Sequence, residues 1–426
     1  MESTGFLIVA VIAILVESFL LFLAFFEPAL PYEVTGAPAA PVDSDVFLRI
    51  LGTVTDAQLH AGNRVAVLTN GECFYAAELA AIRAARSNIN LEAYIFQKGE
   101  VAGRFVEVLA ERARAGVRVK VVLDAIGSFR SGRGMFRELS RAGGCVAWYQ
   151  PFRWYNLPRI NNRTHRELLV VDGRIAFLGG AGIADHWLLD KGRRHRWRDT
   201  MFRIEGGAVA SLQATFAENW LEASGEVITT EDYFPLCDND GTTAALVVNS
   251  SPSMARGTRA RILFQTLLSQ ACRTIWITTP YFLPDRSARA ELAKAIRERG
   301  VDVRIVVPGT HSDHFLTRRS SRRLYGELLE AGARIYEYRV SMIHTKTMIV
   351  DGVWSVVGST NFDHRSFGLN DEVNVAALDR SLAARLEQDF LRDVAQSRAV
   401  NVRQWRRRPV WERLNEWLGW LIERQE

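Results

Sequence analysis

The feature that most limits the possible folds is an internal duplication. Residues 112–124 read RARAGVRVKVVLD and residues 296–308 read IRERGVDVRIVVP. The next stretches also match, RAGGCVAWY at 141–149 against EAGARIYEY at 330–338. Gly116 and Gly300 stop a helical pattern ahead of a buried β-branched run in each copy, offset by 300 − 116 = 184. Helical periodicity over 75–87, 101–115 and 287–299 alternates with strand-like runs at 89–96, 117–124, 275–282 and 301–308. That order predicts an α/β fold built twice. With 426 residues, 48% of them hydrophobic and 24% charged, each copy can bury its own core.

Each copy carries one chemistry-bearing stretch. In the second, IHTKTMIVDGVWSVVGSTNFDHRSFGL at 343–369 holds His344, Lys346 and Asp351 as H-x-K-x4-D, closed by Gly358, Ser359 and Asn361, with Arg365 and Ser366 beyond. Alternation along a β-rich run places His344 and Lys346 on one strand face. An imidazole beside an ammonium suits a phosphodiester, because the lysine neutralises anionic oxygens while the histidine attacks phosphorus or moves a proton. In the first copy, THRELLVVDGRIAFLGGAGIAD at 164–185 repeats the spacing with His165 and Asp172, offset by 344 − 165 = 179. Glu167 stands where the second copy has Lys346, and Gly182 where it has Asn361.

A duplicated H-x-K-x4-D resembles the phospholipase D superfamily over about residues 75–393. Within it the chain looks most like bacterial cardiolipin synthases, through WRDT at 197–200, TPYFLPD at 279–285, SRRLYGELLEAG at 321–332 and GSTNFDHRSFGLNDEVN at 358–374. The resemblance implies two sheet-and-helix lobes about a pseudo-twofold axis, with the active site on the axis. It divides the chain into a first repeat over 49–235, with its motif at 165–185, and a second over 236–400, with its motif at 344–366. His165 is then the expected nucleophile and His344 the general acid, later the base. Asp172 and Asp351 either hold the imidazoles or brace the sites. Lys346, Ser359 and Asn361 bind phosphoryl oxygens, and Glu372 and Asn374, with Asn370, support them. Neither metal nor cofactor is implied.

Glu167 departs from the family pattern. A phosphate-binding lysine replaced by a carboxylate loses about 1.5–3 kcal/mol of charge-assisted hydrogen bonding and adds repulsion. Three readings remain. Arg163 or another base supplies the charge, with Glu167 paired to it; Glu167 binds a substrate hydroxyl such as that of a glycerol headgroup; or the protein is a lipid-binding scaffold without turnover. Among other histidines, His195 lies in a basic loop, His186 beside Trp187 reads as packing, and His311 and His314 follow a strand end, where α/β sheets place ligands.

Outside the repeats, residues 5–26 form an apolar run with one charge, Glu17. Its length suits a transmembrane helix, and no lysine or arginine precedes it, as one would in a signal peptide. Residues 27–48 read as a linker. Residues 401–426 form a basic amphipathic helix that lies in the membrane interface or packs on the second repeat. The expectation is a single-pass protein of the bacterial inner membrane acting on phospholipid, phosphatidylglycerol above all. Transfer between two lipids to form cardiolipin competes with hydrolysis by water. The net charge of +5 and the lack of strong basic tracts over the body give no reason to expect a nucleic-acid partner. Cys73, Cys145, Cys237 and Cys272 are too scattered for a zinc site or disulfide framework.

Overall fold

The structure, a computed structural model, describes residues 2–26, 32–35, 40–152, 161–192, 195–252 and 258–409. Among the described residues its centre is one mixed sheet of 16 strands, fifteen in a row and the short Arg163–Thr164 off that row against Asn370–Leu378. From one edge the strands run Ser397–Ala399, Arg334–Tyr338, Asp302–Pro308, Thr274–Thr278, Thr347–Val350, Trp354–Gly358, Asn370–Leu378 and Thr243–Ser250. They continue as Leu59–Thr69, Thr200–Glu205, Ile175–Gly179, Leu168–Val171, Asn88–Ala93, Arg118–Asp124 and Cys145–Tyr149. The second series mirrors the first. In each half three parallel strands joined by helices lead into an antiparallel hairpin that carries the motif.

Two separate sheets were expected, yet the halves share one. Leu59–Thr69 and Thr243–Ser250 pair antiparallel at the middle, with a register shift between His60 and Asn63. That pairing covers the edge each half would otherwise leave open. On one face a single apolar cluster draws on both halves, with Leu168, Val170 and Phe216 packed together with Val247, Ile349 and Phe390. The other face carries a separate cluster for each half.

Ends of the chain differ from expectation in places. Residues 45–48, read as linker, already belong to the helix Asp45–Val54, whose Phe47, Leu48 and Leu51 are buried in the second half's cluster. The alternation of apolar and polar residues there is helical, and Ser44 caps it by accepting from the Phe47 amide. Val402–Arg406 is helical and docks on the second half, where Trp405 donates to the Arg322 carbonyl at 2.8 Å. Residues 410–426, most of the expected amphipathic helix, lie outside the described residues. The N-terminal apolar run is one helix, Glu2–Phe26, with Phe6 and Leu15 exposed. Its side chains are described only over 5–19, and among the described residues no helix is long and apolar enough to cross a membrane.

The two hairpins fix the motif aspartates. Asp172 and Gly173 both take positive φ (53° and 61°), as do Asp351 and Gly352 (55° and 65°), at the centre of tight turns closed by the Arg174 and Val353 amides donating to the Val171 and Val350 carbonyls at 3.0 and 3.1 Å. Both carboxylates turn away from any imidazole. Asp172 accepts from the amides of Arg86, Ser87 and Asn88, the last two at 2.7 and 3.0 Å. Asp351 accepts from Cys272, Arg273 and Thr274 at 2.8, 2.7 and 2.8 Å. Of the two roles the sequence left open, the geometry gives bracing: each carboxylate ties its hairpin to the start of the neighbouring strand. Asp351→Ala should therefore cost about 2–4 kcal/mol of stability in urea denaturation, from lost charged hydrogen bonds. A loss under about 0.5 kcal/mol, the size of an ordinary surface change, would contradict that role.

Candidate functional site

His165 and His344 do not sit in strands as the alternation suggested. Each stands in the extended segment just before its strand, because its backbone crosses to the other half. The His165 amide donates to the Asp371 carbonyl at 2.9 Å, and the His344 amide donates to the Arg198 carbonyl at 2.7 Å. Arg163–Thr164 adds a short parallel strand against Asn370–Leu378, and Arg198 bridges Ile343 in the equivalent place. Each histidine is thereby hung on the partner half.

The side chains repeat the exchange. His165 Nδ1 lies 3.0 and 3.2 Å from the two carboxylate oxygens of Glu372. His344 Nδ1 lies 3.1 Å from Asp199 Oδ2. A carboxylate at Nδ1 orients each ring, leaving Nε2 for chemistry. Asp199 and Glu372 are both fully buried. Asp199 is held further by the Trp187 indole at 2.9 Å and by the Thr200 amide at 2.8 Å. Burial drives the Asp199 carboxyl up, but His344 and Lys346 outweigh it and leave it below its ordinary value. His344 titrates low, because burial and the Lys346 charge disfavour imidazolium more than Asp199 favours it.

A cavity of about 440 Å³ lies between the dyads, lined by both histidines with Tyr94, Arg163, Tyr281, Asp313, His314, Asn361, Asp363, Arg365 and Asn370 among others. Among the described residues Asn361 Oδ1 is buried with no hydrogen-bond partner, an acceptor open to a ligand's hydroxyl. Lys346 Nζ sits 3.0 and 3.4 Å from the two ring nitrogens of His344, against the imidazole. Burial lowers its pKa, opposed by Asp199, Glu372 and Glu167. Ser359, expected on phosphate, instead donates to Glu372 and so braces the first dyad. Asn374 donates to Thr360 at 2.7 Å, away from this cavity. His314 lines the cavity, whereas the His195 side chain is 65% exposed beside Asp190.

Glu167 points elsewhere. Its carboxyl is buried and accepts from the Ile95 amide at 3.0 Å. Burial raises its pKa well above the ordinary carboxylate value, opposed by that amide and by Lys346. Its contact with the Ile95 backbone and its raised pKa both lessen the repulsion a bound phosphate would meet. Arg163 does not pair with it; its ion pair is to Asp124 at 3.5 Å. The neighbouring departures fit the same change. A Cβ at Gly182 would meet Ile95 O at 2.5 Å and Glu167 Oε1 at 2.9 Å. One at Gly180 would meet Lys346 Nζ at 2.8 Å and Asp199 Oδ1 at 3.0 Å.

Sequence reasoning missed Asp199 as the partner of His344, and with it Tyr94, Tyr281, Asp313 and Asp363. The duplication held the signal. Arg198-Asp199 matches Asp371-Glu372 by their contacts with His344 and His165, so a partner found for one histidine names the other's.

Two outcomes follow. Asp199→Asn removes the carboxylate that stabilises imidazolium, so the His344 pKa should fall further in an NMR titration of the ring; a rise would contradict the pairing. A carboxyl with a raised folded-state pKa contributes stability below its unfolded pKa and loses it as pH rises through the folded value. Glu167→Gln should thus gain stability relative to wild type between about pH 5 and pH 8 in urea denaturation. A gap that stays constant over that range would show Glu167 to be ionised in the folded protein.

The chain is similar in sequence and fold to known proteins. Residues 79–220 and 264–394 match the family model described as cardiolipin synthase, PLD-like domain. The cardiolipin synthase of Geobacillus kaustophilus is 34% identical over 94% of this chain and 79% of its own length. That of Listeria monocytogenes is 34% identical over 84% of this chain and 75% of its own length. The crystal structure of phosphatidylserine synthase from Haemophilus influenzae superposes with a TM-score of 0.68 at 15% identity, covering 89% of this chain and 99% of that one, a likeness of fold.

Proposed function

The chain belongs to the cardiolipin synthase, phospholipase D-like family, and from that premise we propose that it is a phosphatidyltransferase that joins two phosphatidylglycerol molecules into cardiolipin and glycerol. The observation that carries the reading is the pair of crossed histidine–carboxylate dyads facing one cavity.

His165 Nε2 attacks the donor phosphorus. The P–O bond to the donor's glycerol breaks, an N–P bond forms, and His344 gives its proton to the leaving alkoxide. A lowered pKa makes its imidazolium a strong acid, and the bound diester's negative charge offsets Lys346 while Asp199 holds the proton in place. In the second half-reaction the acceptor's hydroxyl passes its proton to His344 and attacks phosphorus, which frees His165. Lys346 and Asn361 hold the non-bridging oxygens. The side chain of His165 is 12% exposed against 6% for His344, which suits it to attack. Residues 49–235 and 236–400 act as the two repeats, each supplying one histidine and the other's carboxylate.

The helix Glu2–Phe26 is the membrane anchor in this reading. Residues 5–19, at about 1.5 Å per residue, reach roughly 22 Å of the roughly 30 Å hydrocarbon core, and the remaining turns of the helix supply the rest. Its exposed Phe6, Ile12 and Phe19 find apolar surroundings there. The catalytic body then meets its lipid substrates at the bilayer of the bacterial inner membrane.

Purified protein in phosphatidylglycerol micelles should release glycerol and cardiolipin in equal amounts. Lys346→Ala should slow this by about tenfold to a hundredfold, the loss of one charge-assisted contact where no second motif lysine exists. Phosphatidic acid as the main lipid product would assign hydrolysis instead. Absence of both products would leave a scaffold.

A further inference from the structure

The reacting phosphoryl group and Lys346 leave two cations of the cavity without a task. Arg163 and Arg365 both line it, and the Arg163 side chain is only 2% exposed. Arg163 is aimed by the Asn162 carbonyl at 2.7 Å and the Gln150 carbonyl at 3.0 Å, with Asp124 at 3.5 Å. Arg365 is aimed by Asn161, whose side-chain oxygen and carbonyl accept at 2.7 and 3.0 Å. The two also repel: Arg365 titrates low through burial first, and Arg163 adds to the effect. Of the carboxyls near them, Asp124 is shared between Arg163 and backbone amides, and Asp363, pushed up to about 6 by burial, offsets their charge less as pH falls toward that value. Two confined cations on one wall suit an anion.

Joining two phosphatidylglycerols brings two phosphates into one cavity. One is attacked by His165. The acceptor lipid carries its own, a glycerol's length from the hydroxyl that attacks. Water or free glycerol brings no second phosphate. We propose that Arg163 and Arg365 form a subsite for the phosphodiester of the acceptor lipid, separate from the reacting position beside His344 and Lys346. This rests on the transferase reading above and adds to it the group that selects a lipid over water or glycerol.

The test sets two acceptors in competition. Phosphatidylglycerol micelles with labelled glycerol give cardiolipin when lipid is the acceptor and labelled phosphatidylglycerol when glycerol is; donor and covalent intermediate are common to both. In Arg365→Gln the ratio of cardiolipin to labelled phosphatidylglycerol should fall by about tenfold or more, with a smaller fall in Arg365→Lys, which keeps charge but loses the planar fork. Arg163→Lys, read the same way, gives the second position should Arg365→Gln fail to fold. A ratio equal to wild type overturns the subsite, because cations serving the donor phosphate, or holding only free phosphate, affect both products alike. Wild type that makes cardiolipin with an insensitive ratio removes the subsite alone. Wild type that exchanges glycerol and makes no cardiolipin removes the transferase reading and the subsite together.

Discussion

Everything at the centre of this molecule depends on a reciprocal exchange of carboxylates. His165 takes Glu372 from the second half, and His344 takes Asp199 from the first. Neither half holds a complete dyad, so the site exists only where the halves meet in register. The backbone enforces that register by the same exchange, each histidine amide donating to the carbonyl just before the other half's carboxylate residue. The continuous sheet and the cluster shared by both halves follow from this need. A hinge between lobes would separate each acid from its base.

Within this near-symmetry one side has been altered as a unit. Lys346 lies across the axis against Gly180, where a larger residue would collide with its ammonium. Its counterpart is the buried acid Glu167, whose carboxyl serves the Ile95 backbone beside Tyr94, and Tyr94 in turn packs edge-on to His165 at 5.2 Å. Gly182 leaves room for that acid. Glu167 and Gly182 thus support the Tyr94–Ile95 backbone, whose side chains line the cavity, where the second half has Lys346 and Asn361. Positive charge is found at Arg163 and Arg365, which line the cavity, and at Lys346 behind it against the His344 ring.

Much of the fold could be read from the sequence because it is written twice. The strands at 118–124 and 302–308 and the glycine stops at 116 and 300 were evident from periodicity and repetition. Both motif histidines were evident from spacing. Pairings between distant strands were not, since nothing in Leu59–Thr69 or Thr243–Ser250 shows that they fuse two sheets into one. The motif aspartates kept two open roles for a related reason. Spacing put Asp172 and Asp351 near the histidines along the chain, whereas the hairpin turns point them at backbone amides. The true partners lie roughly 30 residues downstream of each histidine in the repeat, 199 − 165 = 34 and 372 − 344 = 28, and reach across the axis. Charge alone also left Glu167 with three readings, because the burial that raises its pKa is not visible in the sequence.

The central claim is that the two dyads divide the work, His165 taking the phosphoryl group and His344 moving protons. Rapid acid-free quenching of the enzyme during turnover of phosphatidyl-labelled phosphatidylglycerol, followed by peptide mapping, tests it most directly. The account predicts a phosphorus-linked label on the peptide containing His165. A label on the His344 peptide instead would contradict it.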